Sequence, residues 1–171
     1  MEVQNPEKKI EKATFAAGCF WGVEEAFMEI PGVISTTVGY TGGHTKNPTY
    51  KDVCYKDTGH AEAVEITFDS EKVSYRQLVD YFFKMHDPTQ LNRQGPDYGD
   101  QYRSAIFYHN AEQKKIAEEV MKEAQAKRKD GKLIVTQIVE AKEFWPAEEY
   151  HQKYFKKMGG RSCHVRIKFG T

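Results

Sequence analysis

The sequence predicts an α+β fold: a two-layer α/β sandwich with a ferredoxin-like core of split βαβ units on a mixed sheet. Three observations carry this expectation. In one run Val64, Ile66 and Phe68 alternate with Glu65 and Thr67, the two-residue period of a strand. Elsewhere apolar residues recur at helical spacing, as Val23, Ala26, Phe27 and Ile30 do. The segments follow one another as β-α-β-β-α-β-α-β-α, with no repeat and no linker, and hairpin-like strands under covering helices suit a sandwich.

Taken in order, residues 13–17 read as a strand of small residues. The amphipathic helix that follows ends at Pro31-Gly32, and residues 33–40 form the next strand. Residues 41–49 are a glycine-rich polar turn region without the Lys-Ser/Thr ending of a phosphate loop, which argues against nucleotide binding. The alternating strand covers 62–68. Ser74 and Gln77 make a capping box for a helix to Lys84, with Leu78, Phe82 and Met85 on its inner side. Residues 86–102 are a long irregular segment, a kind that often carries function. A strand at 104–108 precedes a helix capped by Asn110 and Gln113, which turns Ile116, Val120, Met121 and Ala124 inward. Residues 133–139, apolar on both faces, read as a central strand. Residues 144–157 read as a helix with Pro146 near its start, broken by Gly159-Gly160. Val165, Ile167 and Phe169 then alternate in the tail.

Composition narrows the function classes. The 171 residues, 39% hydrophobic and 13% aromatic, suit one folded domain, with a polar lead over 1–12 and a tail over 159–171. Lysine plus arginine equal aspartate plus glutamate at 25 each, so no net field draws the chain to nucleic acid or membrane. No apolar run reaches membrane-spanning length, and residues 1–12 lack the apolar core of a signal peptide, so a cytoplasmic protein is expected. The cysteines are Cys19, Cys54 and Cys163, an odd and low number that fits reduced thiols with a chemical role better than a disulfide scaffold. There is no C-x-x-C and no histidine pair at i, i+4, so a zinc site is not expected.

Gly18-Cys19-Phe20-Trp21-Gly22 places a cysteine at a strand-to-helix turn. Unpaired N–H groups and the positive end of the helix dipole favour an anion there, and the thiolate is the nucleophilic form of cysteine. Phe20 and Trp21 supply an apolar wall. Glu62 shares the parity of Val64, Ile66 and Phe68, so a strand that extends to it turns its carboxyl inward. Burial favours the protonated form, which can act as a general acid. Tyr50 and Tyr102 are candidate hydroxyl donors beside loops, and Asp97 lies in the irregular segment. Each of these has a plain packing or turn role as its alternative. A Cys–His hydrolase or acyltransferase using His60, His86 or His151 stays open, as does a binding module without catalysis.

Six blocks occur in order: Gly18 to Gly22, Gly39-Tyr40-Thr41-Gly42-Gly43, Asn47-Pro48-Thr49-Tyr50, Thr58-Gly59-His60-Ala61-Glu62-Ala63-Val64, Gly95 to Ser104 and Phe144 to Tyr154. Together they resemble the A-type peptide-methionine sulfoxide reductases, specific for the S epimer of the sulfoxide. The resemblance implies one catalytic domain, needing no metal or organic cofactor, that restores methionine from its sulfoxide, free or in proteins.

 By that match Cys19 attacks the sulfoxide sulfur and Glu62 gives a proton to its oxygen. Tyr50 and Tyr102 hydrogen-bond the same oxygen, Phe20 and Trp21 hold the ε-methyl group, and Asp97 helps anchor the site. Cys19 is left as a sulfenic acid, which condenses with a second thiol. Cys163 is the expected resolving cysteine, although its surroundings, Met158 to Cys163, depart from the usual pattern and no cysteine follows it. Cys54 is its rival and reads as a buried structural thiol. A thioredoxin-like partner then reduces the disulfide, and the chain is expected to work as a monomer.

Overall fold

The structure, a computed structural model, describes residues 9–158. In chain order the elements are β1 (Ile10–Ala17), α1 (Phe20–Met28), β2 (Val33–Thr41), α2 (Tyr50–Tyr55), β3 (Ala61–Asp69), α3 (Tyr75–Met85), β4 (Arg93–Gln94) and β5 (Asp97–Tyr98). After them come β6 (Ser104–Tyr108), α4 (Ala111–Lys127), β7 (Gln137–Glu140), β8 (Trp145–Pro146) and α5 (Tyr154–Met158). Short 3-10 turns cover Asp100–Tyr102 and Glu149–His151.

One mixed sheet has the order β7-β6-β1-β3-β2-β8, and β4 and β5 form a separate small hairpin. β3 lies between β1 and β2 and is antiparallel to both, while β1 lies between β3 and β6 in the same sense. The units β1-α1-β2 and β3-α3-β6 therefore interleave, which is the expected split βαβ core. Phe15 on β1 stacks on Phe27 of α1 and Phe82 of α3, with ring centroids 5.1 and 5.3 Å apart, so both helices seat on one face of the sheet. The opposite face holds a smaller cluster of Ala16, Ala61, Ala63, Ala105 and Phe107, covered by Ala141 and Phe144.

The caps of α3 and α4 form where the sequence places them. Ser74 and Gln77 make a reciprocal capping box, and Asn110 accepts from the Gln113 backbone N–H. Three segments differ from expectation. The strand expected over 133–139 is confined to Gln137–Glu140 and lies at the sheet edge, parallel to β6. Its apolar composition misleads because Leu133 is 73% and Val139 40% exposed.

The helix expected over 144–157 is divided into β8, a 3-10 turn and α5. Pro146 sits on an edge strand, where its missing N–H breaks no ladder. Gly39 makes this pairing possible, since a Cβ there would come within 2.4 Å of the Trp145 carbonyl oxygen. The Gln152 side chain then accepts from the Val38 N–H and donates to the Val38 carbonyl, acting as a further strand residue against β2. The third difference is α2, in a stretch without an expected element, where Thr49 and Asp52 form a capping box. The alternation at Val165, Ile167 and Phe169 lies outside the described residues.

Candidate active site

Gly18 leaves β1 with φ +95°, a conformation that favours glycine, and turns the chain so that Cys19 becomes the N-cap of α1. The Cys19 carbonyl accepts from Val23 N at 3.3 Å, and its side chain is half-buried. The thiol thus stands at the positive end of a nine-residue helix, as the sequence implies.

β3 brings Glu62 to this helix end. The strand starts at Ala61, so Glu62 faces the core with Val64, Ile66 and Phe68 and is only 2% exposed. Its Oε1 accepts from the Phe20 N–H at 3.2 Å, one residue beyond Cys19. Its Oε2 accepts from the Gln101 side-chain amide at 3.2 Å. Two N–H donors therefore fix the carboxyl beside the cysteine's own backbone.

Two phenols reach the same place from separate elements. Tyr50 begins α2, with its N–H held by Glu148 Oε2 at 3.1 Å. Burial raises its phenol pKa, and a hydrogen bond with the Cys54 thiol and the nearby Tyr102 add to this. Tyr102 ends the 3-10 turn after β5, and its phenol is likewise raised, first by burial and then by the fields of Glu62, Cys54, Asp97 and Cys19. Raised values keep both hydroxyls protonated, as hydrogen-bond donors must be. Asp97 lies on β5 opposite Gln94 and acts on Tyr102 through space. Cys54 is not remote: Gln101 Nε2, which holds Glu62, also lies 3.5 Å from its sulfur.

Phe20 is 1% exposed and packs between Tyr40 and His151, with ring centroids at 5.7 and 5.1 Å. Trp21 is partly buried, stacks on Tyr154 at 3.9 Å and donates its indole N–H to His151 Nδ1 at 2.9 Å. Each of the three candidate histidines has hydrogen-bond partners of its own. His60 accepts from the Gly43 N–H and meets the Thr45 carbonyl; His86 bridges the Phe82 carbonyl and the Ser104 hydroxyl; His151 serves Trp21.

Cys163 lies outside the described residues. Gln101 and Glu148 are contributors that residue-by-residue reading did not single out, and His151, weighed there as a partner for Cys19, instead accepts from Trp21. The available signal was their position inside two of the six matching blocks. Among the described residues, no helix is long and apolar enough to cross a membrane, and no three His, Cys, Asp or Glu residues could hold a metal ion.

Comparison with known proteins gives a consistent result. The family model described as peptide methionine sulfoxide reductase matches residues 11–171. The peptide methionine sulfoxide reductase MsrA of Methanosarcina acetivorans is 58% identical over 156 residues, covering 91% of this chain and 83% of that protein. The crystal structure of Mxr1 from Saccharomyces cerevisiae in reduced form superposes with a TM-score of 0.87 at 36% identity, covering 97% of this chain and 96% of that one. Mxr1 in complex with Trx2 matches with a TM-score of 0.64 at 26% identity, over the same shares of each chain.

Proposed function

Because this chain belongs to the peptide methionine sulfoxide reductase family, and so is an oxidoreductase that reduces methionine sulfoxide through a thiol, we propose that Cys19 is its nucleophile and Glu62 its proton donor. The observation that carries this is the 3.2 Å hydrogen bond from the Phe20 N–H to Glu62, which sets a buried carboxyl one peptide from the thiol. The Cys19 thiolate attacks the sulfoxide sulfur. The oxygen takes a proton from Glu62, because it leaves sulfur poorly as a bare anion. Tyr50 and Tyr102 donate hydrogen bonds to that oxygen as its charge grows. Phe20 and Trp21 form the apolar side of the pocket for the ε-methyl group of the S epimer, and Asp97 steadies Tyr102. The products are methionine and a Cys19 sulfenic acid, so the sulfoxide is reduced by two electrons and the thiol is oxidised by two.

In the second half, the sulfenic acid condenses with the Cys163 thiol to a disulfide and water. A thioredoxin-like protein then reduces the disulfide by thiol exchange, a step supported by the yeast relative solved with Trx2. The reading takes residues 1–171 as one catalytic domain.

The test is a single turnover. Reduced protein is mixed with excess methionine sulfoxide without reductant, and thiols and methionine are counted. About two thiols lost and about one methionine formed per chain is the expected result. Cys163→Ser is expected to form the same methionine while losing about one thiol. A loss of two thiols in that variant would move the resolving role to Cys54. Absence of methionine from the wild type would overturn the assignment.

A further inference from the structure

We propose that His151 is a positioning residue that latches the Trp21 ring in its substrate-holding orientation, and that only the neutral imidazole can do so. The inference rests on the pocket reading above and assigns a task to a side chain that reading leaves unused.

The indole N–H of Trp21 is a donor and nothing else, so His151 Nδ1 must accept through its lone pair and the ring proton must sit on Nε2. The latch joins residues 130 apart in sequence, tying the start of α1 to the 3-10 turn before α5. On its other side Trp21 is stacked on Tyr154, with the two rings 10° from parallel. The indole is thus gripped by the Tyr154 stack, an edge contact with Phe155 at 6.4 Å and the hydrogen bond, and the hydrogen bond is the directional contact that aims its N–H edge.

The imidazole is itself held tightly. It is 1% exposed, with Phe20, Tyr50 and Tyr150 rings at 5.1, 4.6 and 4.1 Å. Its Nε2 is buried without a hydrogen-bond partner among the described residues. A second ring proton would therefore enter at Nδ1, directly against the indole N–H, while Nε2–H still lacked an acceptor. The charged and titratable groups around the ring are few. α2 presents the Tyr50 phenol, and the ring's own segment presents Tyr150 and Glu148. From α1 come the Phe20 and Trp21 rings, which carry no charge. Burial lowers the His151 pKa, and the Glu148 carboxylate opposes this. Glu148 is itself engaged with the Tyr40 hydroxyl and the Tyr50 N–H. Protonation thus releases Trp21 and leaves Cys19 and Glu62 in place, so the loss falls on substrate binding rather than on the chemical step.

The experiment follows the two indole N–H signals, of Trp21 and Trp145, by nitrogen–proton NMR in labelled full-length protein, with Trp145→Phe assigning them. Wild type is taken from about pH 7.5 to about pH 5, where histidines titrate. The expected result is one titration of the Trp21 signal, with KM for methionine sulfoxide rising about tenfold over the same interval. His151→Asn places a non-titrating acceptor near the Nδ1 position and is expected to hold the signal still and keep KM flat. His151→Leu is expected to move the signal to its unbonded position at every pH and to raise KM about tenfold with kcat within about twofold. A Trp21 signal indifferent to His151→Leu, or a KM unchanged by it, would overturn the latch. Should wild type form no methionine while the Trp21 signal still titrates, the hydrogen bond stands and the sulfoxide pocket falls.

Discussion

Glu24 and Glu62 are buried almost equally, at 1% and 2% exposure, and both touch α1. Glu24 sits within the helix, where it accepts from the Thr36 hydroxyl at 2.8 Å and from the Lys153 backbone N–H. It ties α1 to β2 and to the segment that leads into α5. Glu62 sits at the open end of the helix and accepts from the Phe20 N–H and the Gln101 amide. Around it gather Cys54, Tyr102 and the cysteine at the helix cap. Burial raises the Glu24 pKa against the pull of its hydrogen bonds. A buried carboxyl is therefore not by itself a catalytic one. The difference lies in whether a group beside it changes charge during the reaction.

The largest effects fall at the open end. Cys19→Ser is expected to form no methionine in a single turnover, and Glu62→Gln to lower kcat/KM by about 10²–10⁴-fold, the range of a lost general acid. Steady-state rates with methionine sulfoxide measure both. Tyr50→Phe and Tyr102→Phe are each expected to lower kcat by up to about 10²-fold, since one donor remains for the oxygen. Full rates in both variants would remove the phenols from the mechanism.

Glu24→Gln is the converse. We expect catalysis within about twofold of wild type and a loss of about 1–3 kcal/mol in unfolding free energy, because the amide keeps one acceptor oxygen and turns its NH2 against the other of the two donors. Urea denaturation reads this, and a collapse of kcat/KM with unchanged stability would erase the distinction between the two carboxylates.

The smallest effect is on the acid side. Burial lowers the pKa values of His60, His109 and His151, so the unfolded chain binds protons that the folded one refuses. Their contribution is fully present above the unfolded value of about 6.5 and is lost as pH falls through the lowered values. Glu24, whose pKa is raised, acts with the opposite sign just above the ordinary carboxylate range. The urea midpoint is expected to drop from about pH 7 to about pH 5, and more steeply in Glu24→Gln. A midpoint that holds or rises over that interval would contradict the assignment.

The sheet core was legible in the sequence because its signals are local. The alternation of Val64, Ile66 and Phe68 and the caps at Ser74 and Asn110 depend on neighbours a few residues away. Cys19 and Glu62 were legible for the same reason, one through a turn and one through strand parity. The segment after residue 140 was not. Its course is set by distant partners, namely Gly39, which admits Trp145, and Val38, which pairs with Gln152. Proline near the start of an apolar stretch suits a helix N-terminus and an edge strand alike. The network of Gln101 with Glu62 and Cys54 joins residues 39 and 47 apart, a spacing with no periodic signature.

The clamp between Val38 and Gln152 spans 114 residues. A ribosome delivers the Cys19 thiol well before Gln152, whose side chain closes the sheet edge. Long-range closures of this kind are slow relative to local ones. A growing or truncated chain therefore carries the Cys19 sulfur before it has a finished pocket around it. Assembly of the pocket therefore trails the synthesis of the sulfur that it surrounds.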